Sequence, residues 1–381
     1  MATTAGVDGR NVSDYGGAVG TVYAYNAGVE WQPIRDIRFR ANYGRSVRAP
    51  ALTETSFPLT QNFANGFQDP CRPTGLGQGS ATRPANCAAD LGALLGGLPD
   101  IAFSLEIQSG SNPNLEAETS DSWTIGTVIQ PRWIPGLSIT VDYYDITVNS
   151  VIGSVTAQNI VNQCYDLPSL DNQFCALFER WRGPGTGPGQ EDPGEILDGS
   201  LLQIPLNFQA LVRRGIDAEI AYRREIAPET VLNARLIYTH NLQISNFTSP
   251  TDPDFENRIL GELGDPQDEF RLSVDLSHGP VTFGYRMRYI GRQVVNAWED
   301  FFSLQGRPPQ NADWADIQFY PSVLYHDARV GVDIARDFSF YVGVDNFTDR
   351  NPPLGLTGVG AGSGIYNIRG RNYYAGVRAR F

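Results

Sequence analysis

The sequence predicts an all-β protein whose antiparallel strands form a transmembrane β-barrel of outer-membrane type. Apolar and polar residues alternate at period two in about eleven segments, short and long connections alternate between them, and aromatic residues gather near the segment ends. A strand places successive side chains on opposite faces, so the alternation predicts one apolar and one polar face. Soluble sandwiches also alternate, but segments of ten or more residues suit a tilted membrane span better.

The alternating segments cover most of the chain. In the segment VTFGYRMRY, for example, Val281 and Phe283 alternate with polar residues or glycine. The segment LSITVDYYDITVN changes phase at Tyr143 and Tyr144, which predicts either a bulge or the point where the strand leaves the membrane. The eleven predicted strands are 19–31, 37–48, 123–129, 137–149, 213–224, 230–239, 270–277, 281–289, 323–335, 339–347 and 372–381.

The connections between these segments fall into two classes. Short turns on one side and long loops on the other are typical of outer-membrane barrels. The short connections are QPIRD, QPRWIPG, EIAPET, SHGP and ARDF, and the long ones are roughly 49–120, 151–207, 244–268, 295–321 and 348–366. A membrane girdle requires aromatic residues near the strand ends, and the candidates are Tyr43, Trp123, Trp133, Tyr222, Tyr238, Tyr289 and Tyr373.

Composition excludes several classes of function. The formal net charge of −13 argues against a nucleic-acid partner, which requires a basic surface. No run of about eighteen apolar residues exists, so no transmembrane helix is expected. Three histidines and two methionines leave little for a metal or haem site, and we expect no cofactor. The carboxylates near residues 252–269 have no histidine or activated nucleophile close in sequence, so no enzymatic activity is expected.

Four cysteines lie in the two longest predicted loops. Cys71 and Cys87 are sixteen residues apart, and Cys164 and Cys175 are eleven apart. The local pairing, Cys71–Cys87 and Cys164–Cys175, is one of three possible connectivities. Disulfides suit an outward-facing loop in an oxidising compartment, and a metal site would need a CxxC motif or nearby histidines, which the loops lack.

Loop aromatics and arginines are the candidate ligand contacts. Exposed aromatic faces bind sugars and flat ligands, although loop aromatics also pack against one another. The chosen candidates are Arg48, Phe57, Trp181, Trp298 and Trp314. Arginines on the polar face would favour an anionic ligand, or would balance polar-face carboxylates such as Asp217, Glu219, Asp327 and Asp333. These arginines are Arg38, Arg40, Arg48, Arg286, Arg288 and Arg378.

Several phrases, in order, resemble the C-terminal half of a TonB-dependent outer-membrane receptor. FRANYGRSVRAPALTE resembles the family's strand that ends in an Arg-Ala-Pro phrase before a large loop. NPNLEAETSDSWTIG resembles a second family phrase, carried here by Asn112, Pro113, Leu115, Glu118 and Gly126. RRGIDAEIAYR, YRMRYIG and VDNFTDRNPP are similar to later family strands, and GRNYYAGVRARF resembles the terminal strand.

The resemblance implies a 22-stranded barrel filled by an N-terminal plug. We expect residues 1–381 to be the C-terminal part of such a barrel, about eleven of its strands, with the plug domain and the N-terminal strands absent. It also implies a location in the cell outer membrane and energised uptake of a scarce nutrient such as a siderophore, an oligosaccharide or cobalamin. The alternatives are a plugless passive or structural barrel and a secreted β-rich binding module.

The resemblance also implies partners. They are outer-membrane lipid, the missing plug and strands of the same receptor, the TonB complex reached through that missing part, and the barrel-assembly machinery. The terminal strand, with Tyr373 and Phe381, would be the signal that the assembly machinery reads.

Overall fold

The structure is a computed structural model, and it describes residues 2–14, 19–249, 252, 254–335, 337–353 and 363–379. Its strands are β1 Ala2–Asp14, β2 Thr21–Ile34, β3 Ile37–Arg48, β4 Thr60–Phe67, β5 Phe103–Ser109, β6 Glu118–Ile129, β7 Leu137–Ser154, β8 Leu201–Gln203, β9 Pro205–Ala227, β10 Thr230–Phe247, β11 Asn257–Arg258, β12 Asp268–His278, β13 Val281–Ile290, β14 Gln293–Val294, β15 Phe319–Tyr320, β16 Val323–Ala335, β17 Phe338–Asp345 and β18 Asn372–Ala379. Its helices are α1 Leu52–Thr55, α2 Arg83–Leu91, α3 Ala157–Asp166 and α4 Trp298–Phe301, with 3₁₀ turns at Gly92–Gly97, Cys175–Leu177 and Ser363–Ile365.

Twelve strands form one antiparallel sheet in chain order, β1-β2-β3-β6-β7-β9-β10-β12-β13-β16-β17-β18, and β11 adds a short pairing to β10. Within the described residues β1 and β18 do not pair with each other, so the sheet is an open wall whose two edge strands are β1 and β18. All eleven predicted strands are present. The additional strand is β1, whose sequence ATTAGVDGRNVSD is rich in small residues and carries little alternation.

Strand β7 corrects one of the two interpretations of its phase change. Its register with β6 and β9 runs without a shift through Tyr143 and Tyr144, and the irregularity lies further on, between Val148 and Val151. The phase change is therefore not a bulge. The backbone of the strand stays regular, and what changes is the polarity of one face. That face is apolar at Val141 and Tyr143 and polar beyond Tyr143.

One face of the sheet is apolar across its width. Directly opposed residues of neighbouring strands share a face, and Phe283 of β13 lies opposite Leu276 of β12 and Val330 of β16. The Phe283 side chain is 45% exposed. Soluble proteins rarely leave a contiguous apolar surface of this extent in water. It is the exterior face, which lipid covers in a barrel of this type. Its other exposed apolar residues include Val29, Phe39, Ile125, Val141, Ile220, Val281, Phe340, Val342 and Val377.

Aromatic residues of the exterior face form a row near the ends of the strands that lead into the long loops. This aromatic row contains Tyr25, Tyr43, Trp123, Tyr143, Tyr238, Phe270 and Tyr289. The rings of Tyr43 and Trp123 are 4.8 Å apart, and Phe270 stacks on Tyr289 at 5.1 Å. Aromatic rings collect at membrane interfaces. The row therefore marks the outer limit of the apolar band.

The opposite, luminal face alternates large polar side chains with glycine. Gly343 lies opposite Tyr374, and Gly376 lies opposite Tyr341. A Cβ added at either glycine would lie 2.3 Å from the tyrosine ring, so the rings lie flat against the strands only because these positions are glycine.

Two further observations concern the membrane and the terminal strand. Among the described residues no helix has the length and apolar character of a membrane-crossing segment. Tyr373 lies on the exterior face of β18, opposite Val344. Phe381, the other half of the predicted assembly signal, lies outside the described residues, so its role stays a prediction.

Candidate functional site

The luminal arginines of β3 and β10 are paired with carboxylates. Arg40 Nε donates to Asp142 Oδ1 at 2.8 Å. Arg235 Nη2 lies 2.9 Å from Glu219 Oε2. Arg40 and Arg235 are thus balanced across neighbouring strands, which is the structural alternative to a ligand-binding role. Among the described residues of this half of the wall, from β1 to β10, Arg213 and Arg223 of β9 have no carboxylate oxygen within 4.0 Å.

On the other half of the wall, from β12 to β18, luminal arginines without a close carboxylate are more numerous. Within the described residues Arg271, Arg286, Arg288, Arg329 and Arg378 have no carboxylate oxygen within 4.0 Å. Arg271 and Arg288 lie directly opposite each other on β12 and β13, and the buried Nε of Arg288 has no hydrogen-bond partner. Like charges directly opposite each other destabilise a sheet. An anion placed between the two guanidinium groups would remove that repulsion.

The luminal wall is covered at its outer end by the loop before β18. Tyr325 of β16 lies opposite Arg288, and its hydroxyl accepts a hydrogen bond from the Asn367 N–H at 3.0 Å. Gln293 Nε2 donates to the Tyr366 hydroxyl at 2.7 Å, and burial raises the pKa of Tyr366 to about 12. The unpaired arginines therefore begin directly below a packed part of the outer loops.

Two long loops combine into one folded unit, which we call the disulfide module (residues 49–117 and 155–204). Its sheet joins β4, β5 and β8, and the parallel pairing of Ile107 with Leu201 links the two loops. Disulfides connect Cys71 to Cys87 and Cys164 to Cys175, which is the local connectivity. Residues of both loops share one core, which includes Phe67, Leu105, Ile160, Val161 and Phe174.

A buried ion network crosses the disulfide module. Arg180 and Asp69, whose side chains are 1% and 5% exposed, join Nη1 to Oδ2 at 2.6 Å. Arg180 Nε also donates to the Tyr165 hydroxyl at 2.7 Å, which donates to Asp90 Oδ2 at 2.7 Å. Burial raises the pKa of Tyr165, so the hydroxyl stays protonated. Every partner in this network lies inside the module, so we assign it to stability.

The loops after β10 and β13 form a second unit, the aromatic loop module (residues 254–267 and 291–322). Arg258 Cζ lies 4.0 Å from the centroid of the Trp298 ring, and Arg292 Cζ lies 4.6 Å from that of Phe319. These side chains line a cleft of about 320 Å³ together with Tyr289. Tyr289 belongs to the exterior face, so the cleft lies on the membrane side of the wall.

Carboxylates support the wall of this cleft. Glu262 Oε1 accepts a hydrogen bond from the Trp298 N–H at 3.2 Å, and Glu299 Oε1 accepts one from the Arg258 N–H at 3.0 Å. Burial raises the pKa of Glu262 to about 7, and the nearby charges of Glu299, Asp265 and Asp300 act in the same direction.

The aromatic loop module is expected to be more stable below pH 7 than above it. The pKa of Glu262 is higher in the folded state than in the unfolded chain, so folding favours the protonated carboxyl. The stabilisation is fully present below the unfolded pKa of about 4.3 and is lost as the pH rises through about 7. Hydrogen exchange at the Trp298 amide, corrected for its intrinsic pH dependence, measures this change. Glu262→Gln should remove the pH dependence, and an unchanged profile in that variant would exclude Glu262 as its cause.

A comparison with known protein families identifies the family of this chain. The family model described as TonB dependent receptor-like, beta-barrel, matches residues 2–347. The chain belongs to the TonB-dependent receptor family. The match includes β1 and ends after β17, so it contains eleven of the twelve sheet strands and both loop modules.

Solved TonB-dependent receptors share the fold. A ferric enterobactin receptor, PfeA from Pseudomonas aeruginosa, is 14% identical with a TM-score of 0.56, over 96% of this chain and 41% of that one. A PfeA variant in complex with enterobactin gives a TM-score of 0.57 at 14% identity, over 96% and 41% of the two chains. The siderophore receptor PirA from Acinetobacter baumannii gives 0.54 at 12% identity, over 96% and 42%. The chain thus spans about two fifths of the receptors it matches. No curated protein sequence matches it significantly.

The structure does not bring the five predicted ligand contacts of this TonB-dependent receptor chain together. Arg48 is held by Glu118, with Nε donating to Oε2 at 2.7 Å. Trp181 donates through Nε1 to the Gly185 carbonyl at 2.8 Å and packs within its own loop. Phe57 and Trp314 are exposed in separate loops, and Trp298 lines the exterior cleft.

Three arginines were not among the residues predicted from the sequence. They are Arg271, which lies opposite Arg288 on the luminal face, and Arg258 and Arg292, which lie beside the aromatic rings of the exterior cleft. Period-two alternation places Arg271 on the luminal face, so that signal was present in the sequence. No local pattern indicates that Arg258 reaches Trp298, because the two residues come from different loops of this TonB-dependent receptor chain.

Proposed function

We propose that the chain is the C-terminal part of the barrel of an outer-membrane receptor for energised uptake of an anionic nutrient of the siderophore class. The single observation that carries the substrate class is the luminal pair Arg271 and Arg288, which among the described residues has no carboxylate oxygen within 4.0 Å. Ferric siderophores with several ionised oxygens fit such a wall. Neutral oligosaccharides and cobalamin do not need it, although receptors for them share the scaffold.

The proposal includes the parts that the chain does not contain. The solved relatives are more than twice as long. The free edges of β1 and β18 would pair with the remaining strands, since an unpaired sheet edge in lipid leaves backbone groups without hydrogen bonds. An interior plug domain and the TonB complex would supply gating and energy. Of the predicted ligand contacts, Phe57 is the proposed contact on the disulfide module and Trp314 that on the aromatic loop module. The proposal also keeps Arg48 and Trp181, whereas Trp298 lines the exterior cleft and its ligand role stays a prediction.

Uptake by the complete receptor tests the proposal. Cells that carry it as their only receptor for ferric siderophores would be given radiolabelled ferric enterobactin, with and without a functional TonB complex. Accumulation that depends on TonB and is not reduced by excess cobalamin or maltooligosaccharide supports the proposal. Binding and accumulation of cobalamin or an oligosaccharide, with none of the ferric siderophore, would replace the substrate class. Accumulation that does not depend on TonB would favour the passive barrel.

Arg288→Gln in the complete receptor should weaken binding of the anionic siderophore by roughly 10- to 150-fold, since a hydrogen bond to a charged group is worth roughly 1.5–3 kcal/mol. The same substitution relieves the repulsion with Arg271, so the urea midpoint of barrel unfolding should not fall. Arg235→Gln is the matched control, because it also removes one luminal positive charge, but one that is paired with Glu219. Equal losses in the two variants would contradict a role specific to the unpaired arginines.

A further inference from the structure

The sequence contains a single Asn-Gly pair, Asn65–Gly66, and it lies near the end of β4 in the disulfide module. In this dipeptide the backbone nitrogen of the second residue can approach the side-chain carbonyl carbon of the first, because glycine has no side chain to obstruct the approach. The surroundings of the pair decide whether that approach leads to a reaction in the folded protein.

The pair occupies a bulge between β4 and β5. The register passes over both residues, so Asn65 and Gly66 share the position of Ser104 and have no ladder partner of their own. The flanking pairs are Ala64 with Leu105 and Phe67 with Phe103. Gly66 has a φ of +72°, and a Cβ added there would have nothing within 4 Å. The backbone on this side of Gly66 is therefore open.

Ser104 contacts the side chain of the asparagine from the opposite strand. Its hydroxyl donates a hydrogen bond to Asn65 Oδ1 at 2.9 Å. A donor at this oxygen stabilises the negative charge that develops on it when a nucleophile adds to Asn65 Cγ. Asn65, Gly66 and Ser104 are all exposed, so water reaches each of them.

Buried residues hold both ends of the bulge in place. Phe67 and Leu105 are each 1% exposed in the core of the disulfide module, and the ring of Phe67 lies 5.6 Å from that of Phe103. Sliding β4 along β5 would remove the bulge, but it would also take Phe67 out of the core. The bulge is therefore a fixed feature of the folded module.

Two other sites of the module have part of this arrangement. Asn62 is exposed in the same strand, but it is paired in the ladder and the bulky Phe63 follows it. Gly199 follows Asp198 and has a φ of +71°, but its N–H donates to the Glu106 carbonyl at 2.9 Å. A nitrogen whose proton is held in a hydrogen bond is a poorer nucleophile. We therefore expect both of these sites to react more slowly than the bulge.

We propose that the bulge is a site of spontaneous covalent modification, at which Asn65 loses its side-chain nitrogen as ammonia. The Gly66 nitrogen gives up its proton to water and attacks Asn65 Cγ, while the Ser104 hydroxyl stabilises the charge on Oδ1. The bond from Cγ to Nδ2 then breaks, and Nδ2 leaves as ammonia after taking one proton from water. One water molecule opens the resulting succinimide ring, which gives aspartate or isoaspartate at position 65.

The two products differ in their effect on the module. Both place a new negative charge on the exposed edge of β4. In isoaspartate the chain also runs through Cγ, which adds one backbone atom between the anchored residues Ala64 and Phe67. Either Phe67 or the end of the ladder must then shift, so isoaspartate weakens the pairing of β4 with β5, whereas aspartate leaves it in place.

Prolonged incubation of the complete receptor in detergent tests the proposal, with peptide mass spectrometry as the readout. Samples are held at neutral and at mildly alkaline pH, both folded and unfolded in urea. The mass of the peptide that contains position 65 reports the loss of the amide, and labelling by an isoaspartate methyltransferase distinguishes the two products. The variants are Ser104→Ala and Asn65→Gln, and Asn62 is the internal control in the same strand.

We expect position 65 to lose its amide in the folded receptor while Asn62 keeps its own, and the rate to rise with pH because the nitrogen attacks in its deprotonated form. Ser104→Ala should slow the reaction of the folded receptor by roughly 2- to 10-fold, the rate equivalent of one neutral hydrogen bond. In urea that contact is absent, so Ser104→Ala should have no effect there. Asn65→Gln should not react, because its longer side chain would have to close a larger ring.

Retention of the amide at position 65 in the folded receptor, under conditions in which the chain in urea loses it, would overturn the proposal, because the bulge would then protect the site. Equal rates for folded Ser104→Ala and the folded unmodified receptor would overturn the role of Ser104. Neither a ligand nor the membrane takes part in the reaction, so the outcome is independent of the proposed function.

Discussion

Replacing Asp69 with alanine is expected to destabilise the disulfide module by about 3–5 kcal/mol, the usual penalty for leaving a buried charge without its partner. Arg180 contacts Asp69 through Nη1 at 2.6 Å and Nη2 at 3.1 Å, deep inside the module. Guanidinium does not lose its proton in proteins. The variant must therefore bury a charge whose remaining carboxylate partner, Asp90 Oδ2, lies 3.8 Å from Arg180 Nε, or open the module. Pulse proteolysis of the complete receptor in urea, following cleavage within 49–117 and 155–204, measures the change.

Two controls separate burial from charge. Arg182→Ala removes an exposed arginine that pairs with Asp90 at 2.5 Å, and it should cost less than about 1 kcal/mol. Asp69→Leu combined with Arg180→Met removes both charges and should restore most of the stability, because apolar replacements of a buried pair are often neutral or better. Equal losses from Asp69→Ala and Arg182→Ala would show that the burial of the pair is not what matters.

Phe283→Arg is expected to cost the assembled barrel about 2–4 kcal/mol, the penalty for arginine on the lipid face near mid-bilayer. Phe283 lies six residues from Tyr289 of the aromatic row, which is about 15 Å along the membrane normal for a strand tilted by about 40°. That depth is near the middle of an apolar band about 25 Å tall. Urea unfolding of the complete receptor in lipid vesicles measures the loss.

Thr282→Arg is the matched control for this substitution, since it introduces the same residue next door on the luminal face. Phe283→Ala separates the loss of the ring from the gain of the charge. The exterior assignment requires Phe283→Arg to cost more than either control. If Thr282→Arg proved as harmful as Phe283→Arg, the two faces of the sheet would have to be exchanged.

The alternation of side chains was sufficient to predict most of the wall. All eleven predicted strands are in the sheet, because each must present an apolar face to lipid and therefore carries the pattern in its own residues. Strand β1 was missed because the sequence ATTAGVDGRNVSD is rich in small residues and alternates little. Strand β9 is longer than predicted, Pro205–Ala227 against 213–224, because beyond the membrane a strand continues by backbone pairing alone.

The candidate sites were predictable only in part, and the arginines show why. Arg40 and Arg288 occupy equivalent luminal positions in the alternating pattern, so the sequence treats them alike. In the structure Arg40 is hydrogen-bonded to Asp142, which is 102 residues away, whereas Arg288 lies opposite Arg271 on the neighbouring strand. Pairing of this kind depends on strand register, and register is set between segments and not within one.

The sequence by itself determined the fold class of this protein, its lipid and luminal faces, the alternation of short turns with long loops, and its receptor family. Each of these follows from local patterns or from phrases kept in order along the chain. Only the tertiary structure decided how the loops join into modules, which arginines are paired, and where the aromatics of the loops gather. Arg180 meets Asp69 across 111 residues, for example. The physical reason is that lipid acts on every strand separately, whereas a buried charge is stabilised only by whichever distant side chain the folded chain brings to it.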